Sequence, residues 1–263
     1  MYNFSVERPT TIADAVEALD GGEASVIAGG QSLLPTMKLR LADPEHVIDL
    51  SNIAELKGIS VTADTVTIGA MTTHAEVAAS DEVRRRIPSL AGLAGLIGDP
   101  AVRHRGTIGG SVANADPAAD YPSAVLGLDA TIHTSRRQLA SDDFFCGLFE
   151  TALEADEIIT SISFPVPVKA GYSKFPQPAS RYALVGVFVA QTADGARVAV
   201  TGAGPSAFRV FEMEKALTSN WAPETVSELT VPEFGLNADI HASAKYRAHL
   251  VTVMAERAVS AAY

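Results

Sequence analysis

Apolar positions along this chain come in short runs whose period switches between two and three to four residues, and glycine, proline and polar clusters separate the runs. Residues 11–19 predict a helix: Thr10 or Thr11 can cap it, Asp14 suits its first turn, and Gly21–Gly22 ends it. A short apolar strand over 25–28 runs into Gly29–Gly30, a helix follows over 32–41 with Pro35 in its first turn, and 46–50 is a second strand. The opening 55 residues thus predict a β/α unit built around one glycine turn. Residues 61–68 predict a hairpin, 73–79 and 89–97 helices, 121–128 a helix, and 130–134 and 157–164 strands. Residues 106–115, rich in glycine, serine and asparagine, predict a loop that closely approaches something. The segment 165–171, with two prolines and no periodicity, marks a domain boundary. Beyond it, strands over 183–191 and 197–201 join through Ala193-Asp194-Gly195, and helices cover 211–218 and 244–260. The expected fold is α+β: a two-lobed N-terminal domain over 1–166, with lobes of about 1–55 and 56–166, and a small antiparallel sheet with helices over 170–263.

Composition narrows the partners. Of 263 residues, 47% are apolar, enough for a packed core. Twenty basic against 31 acidic side chains give a net charge of −11, which repels nucleic acid. The same charge means that the phosphates of an anionic cofactor must be held by local dipoles or a few placed cations. The single cysteine, Cys146, forms no internal disulfide and cannot alone hold zinc or an iron–sulfur cluster. It reads as a small buried hydrophobe. The N-terminus shows no basic start with an apolar run, so no signal peptide is expected. The longest apolar runs, 88–98 and 182–193, fall short of the ~18 residues of a membrane span, so the expected location is the cytoplasm.

Two segments could carry chemistry. In Ala28-Gly29-Gly30-Gln31-Ser32 a strand enters, two glycines turn and a helix begins, an arrangement that exposes main-chain N–H groups to an anion. It also fits an ordinary turn, and neither the dinucleotide fingerprint nor a P-loop is present. Thr107-Ile108-Gly109-Gly110-Ser111 is a second glycine pair, and Asp116 and Asp120 follow it. Carboxylates suit ribose or ribityl hydroxyls, and they also serve as helix caps. Arg84, Arg85 and Arg86 read as a solvated helix face. His74 reads as structural, with an acid–base role as the alternative. Arg103, His104 and Arg105 fit a solvated loop, a phosphate neighbourhood or a partner surface.

AGGQSLLPTMKLRL and TIGGSVANADPAADYP, with FSVERPTTIADAVEAL, HVIDLSNIAELKGI, IGAMTTHAEVAAS and ADEIITSISFPVP in order around them, resemble the flavin-carrying medium subunits of the molybdenum hydroxylase family. Xanthine dehydrogenase and carbon monoxide dehydrogenase are its familiar members. The resemblance covers essentially the whole chain. It implies an N-terminal FAD-binding domain in which Ala28 to Ser32 wrap the pyrophosphate, and Thr107, Ile108, Gly109, Gly110 and Ser111 approach the phosphates and ribityl chain. It also implies that Asp120 binds the polyol, that Ile97 and Ile159 lie against flavin or adenine, and that Tyr182 lies against the isoalloxazine, although a core aromatic is an equal reading. Lys174 falls near a basic position of the family. Arg181 departs from the acidic residue that the family places before the tyrosine. Further implications are a large subunit with the molybdenum cofactor, a small subunit with two [2Fe–2S] clusters, and an external electron acceptor. The alternatives are a self-sufficient FAD-dependent oxidoreductase, a binding module without flavin, and a structural subunit.

Overall fold

The computed structural model describes residues 1–19 and 24–263, so the expected helix stop at Gly21–Gly22 lies outside the described residues. The first lobe is a three-stranded parallel sheet in the order Ser5–Glu7, His46–Asp49, Ala24–Ile27. Ser5–Glu7 is absent from the sequence reading because all three residues are exposed, so no alternation marks it. The helix Ile12–Leu19 buries Ala15 and Leu19, and Leu33–Lys38 follows the glycine turn with Pro35 as its third residue. The lobe's core of Ile48, Leu50, Ile53 and Leu56 takes in Met71 and Ile158, which come from the second lobe.

The second lobe is a five-stranded antiparallel sheet in the order Ile59–Val61, Thr65–Gly69, Ile159–Pro165, Thr131–Thr134, Gln138–Ala140. His74–Ala79 starts with a capping box between Thr73 and Glu76. Asp81–Arg86 carries its three arginines exposed in its last turn, the solvated and dipole-favourable end. Pro88–Gly95 and Tyr121–Gly127 pack beneath, the latter with all seven residues buried.

Two expectations are corrected here. Residues 106–115 are not a loop: Thr107 caps a helix over Ile108–Asn114. Glycine and asparagine have poor helix propensity, and packing overrides it. A Cβ on Gly109 would fall 2.5 Å from that of Ala70, so the helix sits flush on the sheet because glycine is there. Cys146 is exposed rather than buried, on a small hairpin of Phe145–Gly147 with Glu150–Thr151.

The third unit is an antiparallel sheet of Lys169–Pro176, Ala183–Thr192, Gly195–Thr201 and Phe208–Arg209. Its first strand begins inside the segment read as a boundary. That strand lies at the sheet edge, where flanking prolines are tolerated. Helices Phe211–Ser219, Pro223–Ser227 and Ala244–Ser260 cover one face, where Val185, Val187 and Val189 meet Met213, Val226, Val251 and Met254. On the other face Phe188 and Ala190 join the core of the second lobe. A Cβ on Gly127 would come within 2.8 Å of the Phe188 ring, so the helix Tyr121–Gly127 lies directly on this sheet. No helix among the described residues is long and apolar enough to cross a membrane.

Candidate functional site

The strand Ala24–Ile27 delivers the first glycine pair into the seam between lobes. Gly30 has φ +70°, in the left-handed region, and turns the chain toward the helix Leu33–Lys38. Gly29 serves a different purpose. A Cβ there would lie 2.2 Å from the Arg105 carbonyl oxygen and 2.6 Å from the Gly106 Cα, so the two segments touch backbone to backbone. The N–H groups of Gly30, Gln31 and Ser32 find no acceptor among the described residues. They form a cluster of free donors at the start of a helix, the arrangement that holds phosphate.

The second glycine pair is built otherwise. Thr72 and Ala70 carbonyls accept from the N–H groups of Ile108 and Gly109 at 3.0 and 2.9 Å. The Thr107 hydroxyl accepts from Gly110 at 3.2 Å. These donors are already committed, so this helix start contributes shape and hydroxyls rather than free N–H groups. Gly110 brings it close to the first segment, since a Cβ there would sit 3.2 Å from that of Ala28.

The third wall is the turn before the strand Ala183–Thr192. Gln177 Oε1 accepts from the N–H groups of Ala179 and Ser180 at 2.7 and 2.6 Å, and Arg181 has φ +63°. Arg181 Nη1 donates to the Gly98 carbonyl at 3.4 Å. Lys174 Nζ donates to the carbonyls of Arg181 and Leu96, each at 3.0 Å, and pairs with Asp120 at 2.9 Å. Lys174 therefore ties the third wall to the second lobe. Tyr172 donates its hydroxyl to Asp120 at 2.5 Å.

Burial pushes the Asp120 carboxyl up, with Lys174 and Tyr172 pulling the other way; burial also raises Asp116. The Tyr182 hydroxyl is raised by burial and by the Asp116 and Asp120 carboxylates. Burial, helped by Arg103, pushes His74 down to about 4.

These walls enclose a cavity of about 660 Å³, within the ~300–1,000 Å³ usual for small-molecule sites. Among the residues expected from sequence, Ala28, Gly29, Gly30, Gln31, Ser32, Ile97, Thr107, Gly110, Ser111, Asp120 and Tyr182 line it. Tyr182 is 45% exposed, so it is a wall residue and not a core aromatic. Ile108, Gly109 and Ile159 do not line it. Ile108 and Ile159 are packed in the second-lobe core, and Gly109 is pressed against Ala70. Lys174 stands behind Asp120 with its donors spent on protein acceptors. The lining also includes His74, Val102, Gly106, Asn114 and Asp116, and Arg181 is the only cation in it among the described residues. Of these, Val102 carries no sequence signal of its own, because it reaches the cavity from the short helix Pro100–Arg103, whereas Gly106 opens the segment expected to approach something closely. No cluster of metal-ligating side chains occurs among the described residues.

Free N–H donors, the buried Asp120 and half-buried Asp116 carboxylates and the Tyr182 ring in one cavity fit a phosphate-bearing cofactor with a hydroxylated chain. Residues 2–167 match the family described as the FAD binding domain in molybdopterin dehydrogenase, and residues 170–262 match the CO dehydrogenase flavoprotein C-terminal domain. The chain is 39% identical to the nicotine 6-hydroxylase medium subunit of Paenarthrobacter nicotinovorans over 95% of this chain and 94% of that one. It is 34% identical to the carbon monoxide dehydrogenase medium chain of Hydrogenophaga pseudoflava over 99% and 97%. In structure it resembles a chain of reconstituted CO dehydrogenase from Oligotropha carboxidovorans, with a TM-score of 0.91, 33% identity and coverage of 99% and 97%. With both parts of the chain matched and such relatives covered almost throughout, the chain belongs to the FAD-binding medium subunits of the molybdenum hydroxylase family.

Proposed function

We propose that this chain holds FAD in the cavity between its lobes and relays electrons, in the cytoplasm, from the [2Fe–2S] clusters of a small partner subunit to an external acceptor. A large partner subunit with the molybdenum cofactor carries out substrate oxidation. Residues 1–166 form the FAD-binding unit, and 170–263 a C-terminal unit that closes it with Tyr182 and Arg181. The observation that carries this reading is the group of free N–H donors at Gly30, Gln31 and Ser32, facing a cavity that also holds Asp116 and Asp120.

Bound FAD supplies a carrier that exchanges electrons singly with clusters and in pairs with an acceptor. The chain's own part is binding and orientation. Gly30 to Ser32 hold the diphosphate by main-chain donors, which suits a protein of net charge −11. Asp120 accepts from a hydroxyl of the polyol chain: Lys174 and Tyr172 occupy part of its carboxylate, and lone pairs remain. Thr107 and Ser111 add hydroxyls, and Ile97 and Tyr182 supply apolar and aromatic walls. Ile108, Gly109 and Ile159 shape the lobe beneath, and Lys174 orients Asp120.

The test is anaerobic mixing of the co-purified complex with its reducing substrate while cluster and flavin absorbance are followed separately. Cluster bleaching followed by loss of the flavin band is expected. Clusters that reduce while bound flavin stays oxidised would refute the relay. Turnover with a pyridine nucleotide by this chain alone would favour a self-sufficient flavoenzyme instead.

A further inference from the structure

His74 is a buried side chain without a polar partner, and unlike Ser89, Tyr121 and Ser141, whose buried hydroxyls in the same lobe also lack one, it lines the cavity. It is 5% exposed and lines the cavity between Val102 and Gly106. Its Nδ1 is fully enclosed with no hydrogen-bond partner, and its Nε2 makes no hydrogen bond among the described residues. The ring is fixed from several directions. The His74 N–H donates to the Gly106 carbonyl at 2.9 Å, and the Tyr121 ring lies 5.4 Å away, tilted 47°. A Cβ on Gly106 would fall 2.6 Å from Nε2, so residue 106 leaves room for the imidazole to lie against the turn.

An enclosed imidazole with no partner is left with its desolvation uncompensated. An apolar residue would fill the same volume without that cost. With its pKa held near 4 by burial and Arg103, the ring is neutral at cellular pH and carries one proton. Neither ring nitrogen has a protein partner that fixes the proton, so it is free to sit on Nε2, the nitrogen beside Gly106. Gly106 is also the residue against which Gly29 packs. Nε2 therefore stands close to the place where the first glycine segment meets the cavity.

We propose that His74 is a cofactor-contacting residue, its Nε2–H donating a hydrogen bond to an oxygen of the bound FAD beside the Gly106–Thr107 turn. The inference rests on the FAD reading and extends it by a neutral donor. The acceptor is a diphosphate oxygen or a ribityl hydroxyl oxygen, which share this chemistry.

The experiment uses the full chain stripped of flavin. FAD and ADP are titrated into the wild type, His74→Leu and His74→Gln, and ¹⁵N spectra of histidine-labelled wild type are recorded with and without FAD. Expected for His74→Leu is FAD binding weakened about tenfold, the size of one net hydrogen bond, with His74→Gln within about threefold of wild type. A matching loss for ADP assigns the diphosphate, and a loss for FAD alone assigns the ribityl chain. The His74 Nε2 resonance moves when FAD is added. Wild-type affinity in His74→Leu overturns the inference, as does an unmoved His74 resonance in flavin-saturated wild type, a readout that needs no variant to fold. Failure of the wild type to bind FAD brings down the FAD reading itself, so the two failures are distinguishable.

Discussion

Replacing Gly29 with alanine adds one methyl group where the two lobes touch. The added Cβ would sit 2.2 Å from the Arg105 carbonyl oxygen and 2.7 Å from its carbon. That is roughly 1 Å inside ordinary contact. Both neighbours are main-chain atoms, so no rotamer change relieves the clash, and the segments must separate. Overpacking of this kind costs about 1–3 kcal/mol. Separation also widens the cavity on the side where Gly30, Gln31 and Ser32 present their donors, so FAD affinity falls by roughly 100-fold if the upper figure is lost from the bound state. Two other glycines calibrate the effect. A Cβ on Gly110 meets Thr107 Oγ1 at 2.9 Å and Ala28 Cβ at 3.2 Å, a smaller overlap than at Gly29, so Gly110→Ala is milder. Gly92 has nothing within 4 Å and lies inside the helix Pro88–Gly95, so Gly92→Ala stabilises by about 1 kcal/mol while leaving FAD affinity unchanged. Fluorescence titration of the apo chain with FAD, together with thermal unfolding of each variant, reads both quantities. Wild-type FAD affinity in Gly29→Ala would refute the backbone-contact argument, and an order of effects other than 29, 110, 92 would refute its magnitudes.

Three further outcomes are expected. Lys174→Met strands the enclosed Asp120 carboxylate and destabilises the chain by about 3–5 kcal/mol, measured by denaturant unfolding. Adding Asp120→Asn should recover much of that loss, and a purely additive double variant would show that the pair is not coupled. Arg181→Asp lowers the flavin midpoint potential, on the order of 30 mV for about 1.4 kcal/mol on a two-electron couple; an unchanged potential in spectroelectrochemistry removes Arg181 from the flavin's electrostatic surroundings. Glu157 is held down to about 2 by its hydrogen bonds from Arg137, with Thr134 and the Glu154 N–H adding to them. Because the folded carboxyl lies below its usual value of 4.5, its stabilisation is complete above that pH and is lost as pH falls toward 2. Glu157→Gln should flatten the acid limb of a stability–pH profile between those values, and an unaltered limb would place the acid sensitivity elsewhere.

Much of the architecture was legible because local signals agreed with the tertiary result. The helix over Ala244–Ser260, the hairpin at Thr192–Gly195 and the strand–turn–helix around Gly29–Gly30 all carry their own capping or turn residues. Ser5–Glu7 and Lys169–Pro176 were missed because edge strands with exposed or proline-flanked residues lack alternation. The helix Ile108–Asn114 was misread because its glycines serve contact with Ala70, which no local pattern reports. At the site, the sequence located the segments but not the direction of each side chain. Ile108 and Gly109 neighbour Thr107 and Gly110 in sequence, yet only the latter two reach the cavity. Lys174 carries a charge suited to a phosphate, but its partners are protein acceptors brought from residues 96, 120 and 181 by folding. Arg181 stood out from the family pattern by its sign alone, whereas its left-handed backbone was invisible.

The strand order of the second lobe bears on biosynthesis. Ile159–Pro165 lies between Thr65–Gly69 and Thr131–Thr134, so the centre of the sheet is its last strand to leave the ribosome. Both glycine segments are synthesised long before the strand that completes the lobe beneath one of them. Such non-local pairing must overcome a large loop-closure entropy, which places it late in folding. The parallel sheet of residues 5–49 needs none of it, yet its core is completed by Ile158, one residue ahead of that strand. A nascent chain that has not reached Tyr182 thus carries both glycine pairs but lacks the central strand of the lobe beneath one of them and the third wall of the cavity they share.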